Sequence, residues 1–405
     1  MSQKTAPIRS TAQTMRLSDL VKKHASDLSA QLARHQATNF PPESRKSFRC
    51  LSPTETFQLL GIAEGYLRQV AAKCDAGSPD PATKRRMYSL EDIAALRAEL
   101  NKNPRESRRY LPHRRIGEHL QIITTMNFKG GSGKTTTAAH LVQHLAMQGY
   151  RTLAIDLDPQ ASLSTLLGVT PEIDVTVDQS IYGAIRHLDP LPLSRIVRRT
   201  YIPSLDLVPA NLELMEFEHE APRVMVNASA TTVFFDRVLE AIRDVEADYD
   251  VVVIDCPPQL GYLALSALMA ATAVLITVHP QMLDVMSMAQ FLTMTSALLD
   301  VVAEASQRQR GDSYDWMRYL ITRYEPSDGP QTQMAAFLRS IFGENVLIHP
   351  ALKSTAISDA GLTNQTIYEV DRTQFTRATY DRALESIRNV NAEIEGLVKS
   401  AWGRP

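Results

Sequence analysis

The 405-residue chain is poor in cysteine. Its three thiols, Cys50, Cys74 and Cys256, are too scattered to form a disulfide framework or a metal-ligand spacing, and they are read as reduced structural residues. Also missing is any run approaching the ~20 apolar residues that span a bilayer. The opening MSQKTAPIRSTAQTMRLSDL lacks the apolar core of a secretory leader. Both absences predict a cytosolic protein that makes no membrane contact. There is no internal repeat and no low-complexity tract. What is present is ordinary globular usage, 44% apolar and 22% charged, with enough apolar surface for a large core. The length suggests two domains and a tail.

A net charge of −2 hides a division along the chain. Residues 45–116 hold 15 Lys/Arg against 8 Asp/Glu, so this stretch carries +7 and the remainder −9. A basic module on an acidic body points to nucleic acid at one end. Ahead of it, Leu17, Leu20, Val21, Ala25, Leu28 and Leu32 recur at helical spacing until Pro41-Pro42. Residues 1–44 are therefore expected to be a packing or dimerisation arm.

Within 45–117, Ser52-Pro53-Thr54-Glu55 is a helix start, with Phe57, Leu59 and Leu60 on its buried face and Gly61 as its end. A second helix begins near Ala63 and carries Tyr66, Leu67, Arg68, Val70 and Lys73 at helix–turn–helix spacing, with Arg68, Gln69 and Lys73 exposed toward a groove. The turn-rich Gly77-Ser78-Pro79-Asp80-Pro81 leads to the basic strand-like run Lys84-Arg85-Arg86-Met87-Tyr88. A third helix, capped by Ser89 and Asp92, buries Ile93, Leu96 and Leu100. This order resembles a winged helix–turn–helix of the MerR type, with Arg68, Lys73, Lys84, Arg85 and Arg86 as the DNA-binding candidates. The following linker, 101–119, adds Arg105, Arg108, Arg109, Arg114 and Arg115 to the basic footprint.

Residues 118–405 read as an α/β domain. Apolar strand-like runs at 121–126, 152–155, 205–208, 251–254, 274–278 and 319–322 alternate with helical patterns such as 138–147 and 234–247. That rhythm predicts a mostly parallel sheet flanked by helices, with ligands at the carboxyl ends of its strands.

The chemistry sits where the first of these strands runs into Lys129-Gly130-Gly131-Ser132-Gly133-Lys134-Thr135-Thr136 and a helix begins. Glycines let a backbone wrap phosphates so that consecutive amides and the helix N-terminus meet anionic oxygens. In such a loop Lys134 contacts the β- and γ-phosphates of ATP and the Thr135 hydroxyl binds Mg2+. Phe128 stands where the ordinary pattern has glycine, and a second lysine, Lys129, is present instead. Val251 to Asp255 is a β-branched strand ending in an acid that can hold the metal through water. Leu153 to Asp158 is another such strand; Asp156 is assigned near the metal shell and Asp158 to orienting the attacking water. Lys129, Lys134 and Asp158 are the catalytic candidates.

These segments, K-G-G-S-G-K-T-T, D-L-D-P-Q and V-V-V-I-D-C-P-P, resemble the deviant Walker A, A′ and Walker B motifs of the ParA/MinD family. The likeness covers about 121–394, including Ile321-Thr322-Arg323-Tyr324 and Leu352 to Gly361. With the winged module, the whole is most similar to the larger plasmid partition type, the RepA branch of repABC replicons. The resemblance implies a nucleoid-associated homodimer that sandwiches two ATP molecules, Lys129 reaching the partner's nucleotide. It also implies slow hydrolysis stimulated by a ParB-like centromere-binding protein. DNA would be bound without sequence preference by the ATPase dimer, with Lys353, Arg323 and Arg339 as possible contacts, and at the operator by the N-terminal domain, which represses its own operon.

A nitrogenase-reductase-like reading requires cluster cysteines that are absent, a MinD-like one an amphipathic membrane helix where 380–402 instead reads as mixed-charge, and a tyrosine-kinase reading a C-terminal tyrosine cluster. The remaining alternative is a nucleotide-switched repressor with incidental ATPase activity.

Overall fold

The computed structural model describes residues 16–39, 46–81, 83–103, 109–225, 235–306 and 314–405. The chain divides into two units, Met1–Lys46 and Ser47–Pro405. In the first, α1 (Leu17–Asn39) is a single helix. Leu17, Leu20, Val21 and Leu28 are exposed on it, as an apolar stripe with no core of its own must be. The Pro41-Pro42 stop lies outside the described residues.

The second unit opens with α2 (Pro53–Leu60), whose Ser52 and Glu55 form a capping box, and which Gly61 ends in the left-handed region. Then come α3 (Glu64–Lys73), a short antiparallel pair of β1 (Ser78–Pro79) and β2 (Arg86–Met87), and α4 (Leu90–Leu100) with the Ser89–Asp92 box. Leu60, Leu67, Val70, Ile93, Leu96 and Leu100 are buried, whereas Phe57 and Leu59 are half-buried and Tyr66 is exposed. The order of elements is the one the caps and apolar spacing specify.

The large sheet contains β3 (Gln121–Met126), β4 (Thr152–Asp156), β5 (Arg198–Arg199), β6 (Leu205–Val208), β7 (Val251–Asp255), β8 (Ala273–Val278) and β9 (Trp316–Ile321). Their spatial order is β5-β6-β4-β7-β3-β8-β9, all parallel except the edge strand β5. Every residue of β3, β4, β7 and β8 is buried, which is why these strands read as continuous apolar runs rather than alternating ones. Alternate residues feed two cores: Ile123, Ala154 and Val253 on one face, Ile122, Leu153 and Val252 on the other. After β3 the chain crosses to β4 on one side, and after β7 it returns past β3 to β8. The resulting crevice at the carboxyl ends beside β3 is where open α/β sheets bind ligands.

Two features depart from the pattern the sequence predicts. Edge strand β5 is only two residues long, too short to leave a pattern. The helix Met282–Ser306 contains a stretch, Met282–Asp300, long and apolar enough by length and composition to cross a membrane, although no such run was expected. Val285, Met288 and Phe291 are buried in the core of one sheet face, while Met282, Leu283, Met286 and Met294 are exposed. Of the helix expected over 234–247, Arg237–Arg243 is α-helical, followed by a 3-10 turn at Glu246–Asp248.

The small module shares one continuous apolar core with the sheet face covered by α5 (Lys134–Gln148) and the C-terminal helix Arg377–Ala401. Arg97 of α4 bolts them together. It is 6% exposed, and its guanidinium donates to Met147 O (3.0 Å), Tyr110 O (3.1 Å), Leu59 O (3.4 Å) and Gln148 Oε1 (3.1 Å). Burial lowers its pKa to about 10, so it stays charged, facing the carbonyl end of α5 where a cation is favoured. The linker is likewise committed: Arg114 donates to Glu246 O and to Tyr249 O (2.9 Å), so it does not join a free basic surface. Arg105 and Arg108 lie outside the described residues. The C-terminal helix packs on protein, as its mixed charge suggested. Its Glu395 accepts from Tyr150 (3.2 Å) and meets His144 (3.0 Å) and Lys399 (2.7 Å).

Replacing Arg97 with Ala strips four acceptors of their donor and should cost about 3 kcal/mol in urea unfolding. Burial opposes ionisation of Glu395, but His144 and Lys399 outweigh it and hold its pKa at about 2. A carboxyl depressed on folding stabilises above its unfolded pKa and loses that contribution as pH falls through the folded value. Glu395→Gln should therefore lower stability by roughly 3 kcal/mol at pH 7 and flatten the loss between pH ~4.5 and ~2. Unfolding midpoints across that range measure both.

Candidate nucleotide site

The loop between β3 and α5 is held open from one side of the sheet. Asn127 donates to Thr277 O at the end of β8 and accepts from Lys129 N (3.1 Å). Ser132 meets Thr277 through its hydroxyl (3.0 Å), and its carbonyl accepts from Thr322 Oγ1 (2.7 Å) just beyond β9. Gly131 and Gly133 have φ of +76° and +89°, backbone that L side chains adopt only with strain. Gly133 caps α5 without offering a side chain, so the first amides of that helix remain for an anion.

Lys134 opens α5 and is 6% exposed. Its ammonium meets Lys129 O at 3.5 Å. Burial lowers its pKa while the charges of Asp255, Cys256 and Asp158 oppose that, so it is a desolvated cation aimed at the acidic side of the crevice. Thr135 and Thr136 follow in the first turn, both half-buried.

On that side the sheet register sets Asp156 of β4 directly beside Asp255 of β7. Both are wholly buried, and burial first, then mutual repulsion at Asp255, pushes the pair upward. Asp156 spends its oxygens on Ser164 N and Oγ (2.8 Å each) and on Asp158 N (3.2 Å). Asp255 accepts from Thr125 Oγ1 at 3.3 Å through one oxygen, but its buried Oδ2 has no partner. Thr135 stands against the same carboxyl and favours its charged form. An orphaned carboxylate oxygen beside a hydroxyl suits a hard cation that takes its other ligands from phosphate and water. Among the described residues there is no cluster of three or more His, Cys, Asp or Glu that could hold a metal ion. Asp158 is half-buried with one oxygen accepting from Gln160 N (3.0 Å), and burial raises its pKa against the pull of Lys134.

The expected P-loop residues and the three acids are thus gathered in one crevice. Arg68, Lys73, Lys84, Arg85 and Arg86 are instead on the small module, all exposed. Arg68 pairs with Glu64 (2.5 Å), and Arg86 donates to Gly77 O (3.3 Å). The three body residues considered for DNA each have a local partner: Lys353 pairs with Glu325 (2.9 Å), Arg339 donates to Ile348 O (2.9 Å), and Arg323 donates to Gly131 O (3.2 Å). Arg323 does so from a left-handed φ of 51°, bracing the loop from outside. Thr277 and Thr322 also contact the loop, Asp284 contacts its lysine and His279 faces Asp284, roles that the sequence pattern does not assign. Each is an ordinary polar residue whose role appears only when distant strands come together.

A family model described as an AAA domain matches residues 120–305. Over 393 residues the chain is 60% identical to a putative replication protein A of Rhizobium rhizogenes, covering 96% of each chain. A putative replication protein A of Sinorhizobium fredii is 49% identical over 409 residues, 100% of this chain and 99% of that one. Among solved structures, one described as a partition protein superposes with a TM-score of 0.59 at 19% identity, covering 92% of this chain and 99% of that one, a likeness of fold.

Gly133→Ala has room for its Cβ, 3.6 Å from Thr322, so its cost is strain in the loop, about 1–2 kcal/mol. ATP affinity, followed with a fluorescent analogue, should fall roughly ten-fold in that variant and become undetectable in Lys134→Ala.

Proposed function

This chain belongs to the ParA/MinD-type family of P-loop partition ATPases, and from that premise we propose that it partitions a plasmid by ATP-dependent dimerisation on DNA. The observation that carries the reading is the desolvated Lys134 set between a left-handed glycine loop and the unpartnered oxygen of Asp255. A buried cation and a buried carboxylate oxygen without a partner are groups that a triphosphate and its metal would satisfy.

In this reading the loop amides of 130–136 and Lys134 bind the phosphates. Thr135 and Asp255 hold magnesium, with Asp156 behind them fixing the turn that carries Asp158. Bound there, the ion would neutralise charge on the β- and γ-phosphates. Asp158, with one oxygen free of the backbone, orients the attacking water. Lys129 serves the nucleotide of a second copy, supplying positive charge where it is needed in phosphoryl transfer. Turnover is slow until a ParB-like protein, whose genes would lie alongside, stimulates it.

The small module binds the operator through Arg68, Lys73, Lys84, Arg85 and Arg86, and its shared core with the P-loop helix supports a nucleotide-dependent autorepressor. The ATP dimer binds DNA without sequence preference, placing the protein on the nucleoid. Relatives named for replication support this reading.

Lys129→Ala should bind ATP within about two-fold of the parent and lose roughly 10³-fold in stimulated hydrolysis. Asp158→Ala should lose about 10²-fold or more. Plasmid retention should collapse with Asp158→Ala while operator binding survives. Intact inheritance would favour a repressor in which turnover is incidental.

A further inference from the structure

The half-exposed Lys129 side chain does not extend into solvent: its ammonium is ion-paired with Asp284. Asp284 lies in the first turn of the helix Met282–Ser306 and is 8% exposed at its side chain, against 44% for Lys129. Its second oxygen faces His279 Nδ1 at 3.3 Å. The backbone of Lys129 is fixed independently, its amide on Asn127 Oδ1 and its carbonyl on Lys134. Only the side chain is therefore free to change partner.

We propose that Asp284 is a positioning residue that holds Lys129 in cis in the single chain and yields it to the nucleotide of a second copy. This rests on the trans role proposed above for Lys129. The buried acid can release its lysine because it has other support. It sits at a helix N-terminus, where negative charge is favoured, and keeps His279. Burial and the nearby cations Arg323 and Lys129 disfavour a charge on that imidazole, so it supports Asp284 as a neutral donor. A triphosphate carries more charge than one carboxylate and outbids it for the ammonium. The pair thus sets a threshold: nucleotide alone leaves Lys129 engaged, and a facing copy is needed to withdraw it.

The test uses the full chain with Asp284→Asn, which keeps shape and removes charge, together with Lys129→Ala and the double variant. Two quantities are measured: the acylation rate of Lys129 in nucleotide-free protein, by mass spectrometry, and unstimulated phosphate release with ATP and magnesium. Asp284→Asn should raise both, turnover by roughly five-fold, as expected for losing one partly exposed ion pair. The double variant should hydrolyse like Lys129→Ala. Unchanged Lys129 reactivity in Asp284→Asn overturns the pairing, and that readout needs no catalysis. Raised reactivity with unraised turnover, while Lys129→Ala is impaired, overturns the latch alone. Unimpaired Lys129→Ala overturns the latch and the trans role together.

Discussion

Two carboxyl groups set side by side at the ends of adjacent strands, out of reach of water, are the constraint around which this protein is arranged. Asp156 and Asp255 face one another by sheet register, and their shared site opposes full ionisation of both unless a cation is close. Lys134 supplies one, and a metal brought with phosphate would supply the other. The strand order follows from the need: β7 must separate β4 from β3 for both acids and the glycine loop to open into one crevice. The glycine conformations, the uncapped start of α5 and the bracing of Ser132 by Thr277 and Thr322 all hold that crevice ready for an anion.

The helix that begins at this crevice also ends at something. At the end of α5, Met147 O and the Gln148 side-chain oxygen accept from Arg97, whose helix belongs to the small basic module, and the flank of α5 carries His144 against Glu395 of the C-terminal helix. A rigid rod with a phosphate cradle at one end and a buried cation bolt at the other gives the module a mechanical tie to the nucleotide loop. Gly149 belongs to the same joint, since a Cβ there would meet Arg97 Cδ at 3.1 Å and Tyr110 O at 3.3 Å.

Much of this was legible in the sequence, for local reasons. The capping boxes at Ser52 and Ser89, the break at Gly61 and the six parallel strands each leave a short-range mark, whether a side chain bonding three residues away or an apolar run, buried throughout in the four central strands. The P-loop and the acids at strand ends belong to the same class. What escaped depends on residues that meet only after folding. Arg97 looks like one more exposed cation on a basic module until Met147, 50 residues on, comes to it. Arg114 read as basic surface and is spent on Tyr249. Asp284 sits in an apolar helix more than 150 residues from its lysine, and nothing in the spacing joins them.

The central claim is that the crevice binds a nucleoside triphosphate and its metal as a single ligand. A calorimetric titration of the purified chain with ATP, with and without magnesium, addresses it directly. The account predicts one site per chain, with binding much tighter when magnesium is present, because the buried Oδ2 of Asp255, with Thr135 against the same carboxyl, has no partner of its own. No heat with ATP and magnesium, or equal heat and affinity without the metal, would contradict it.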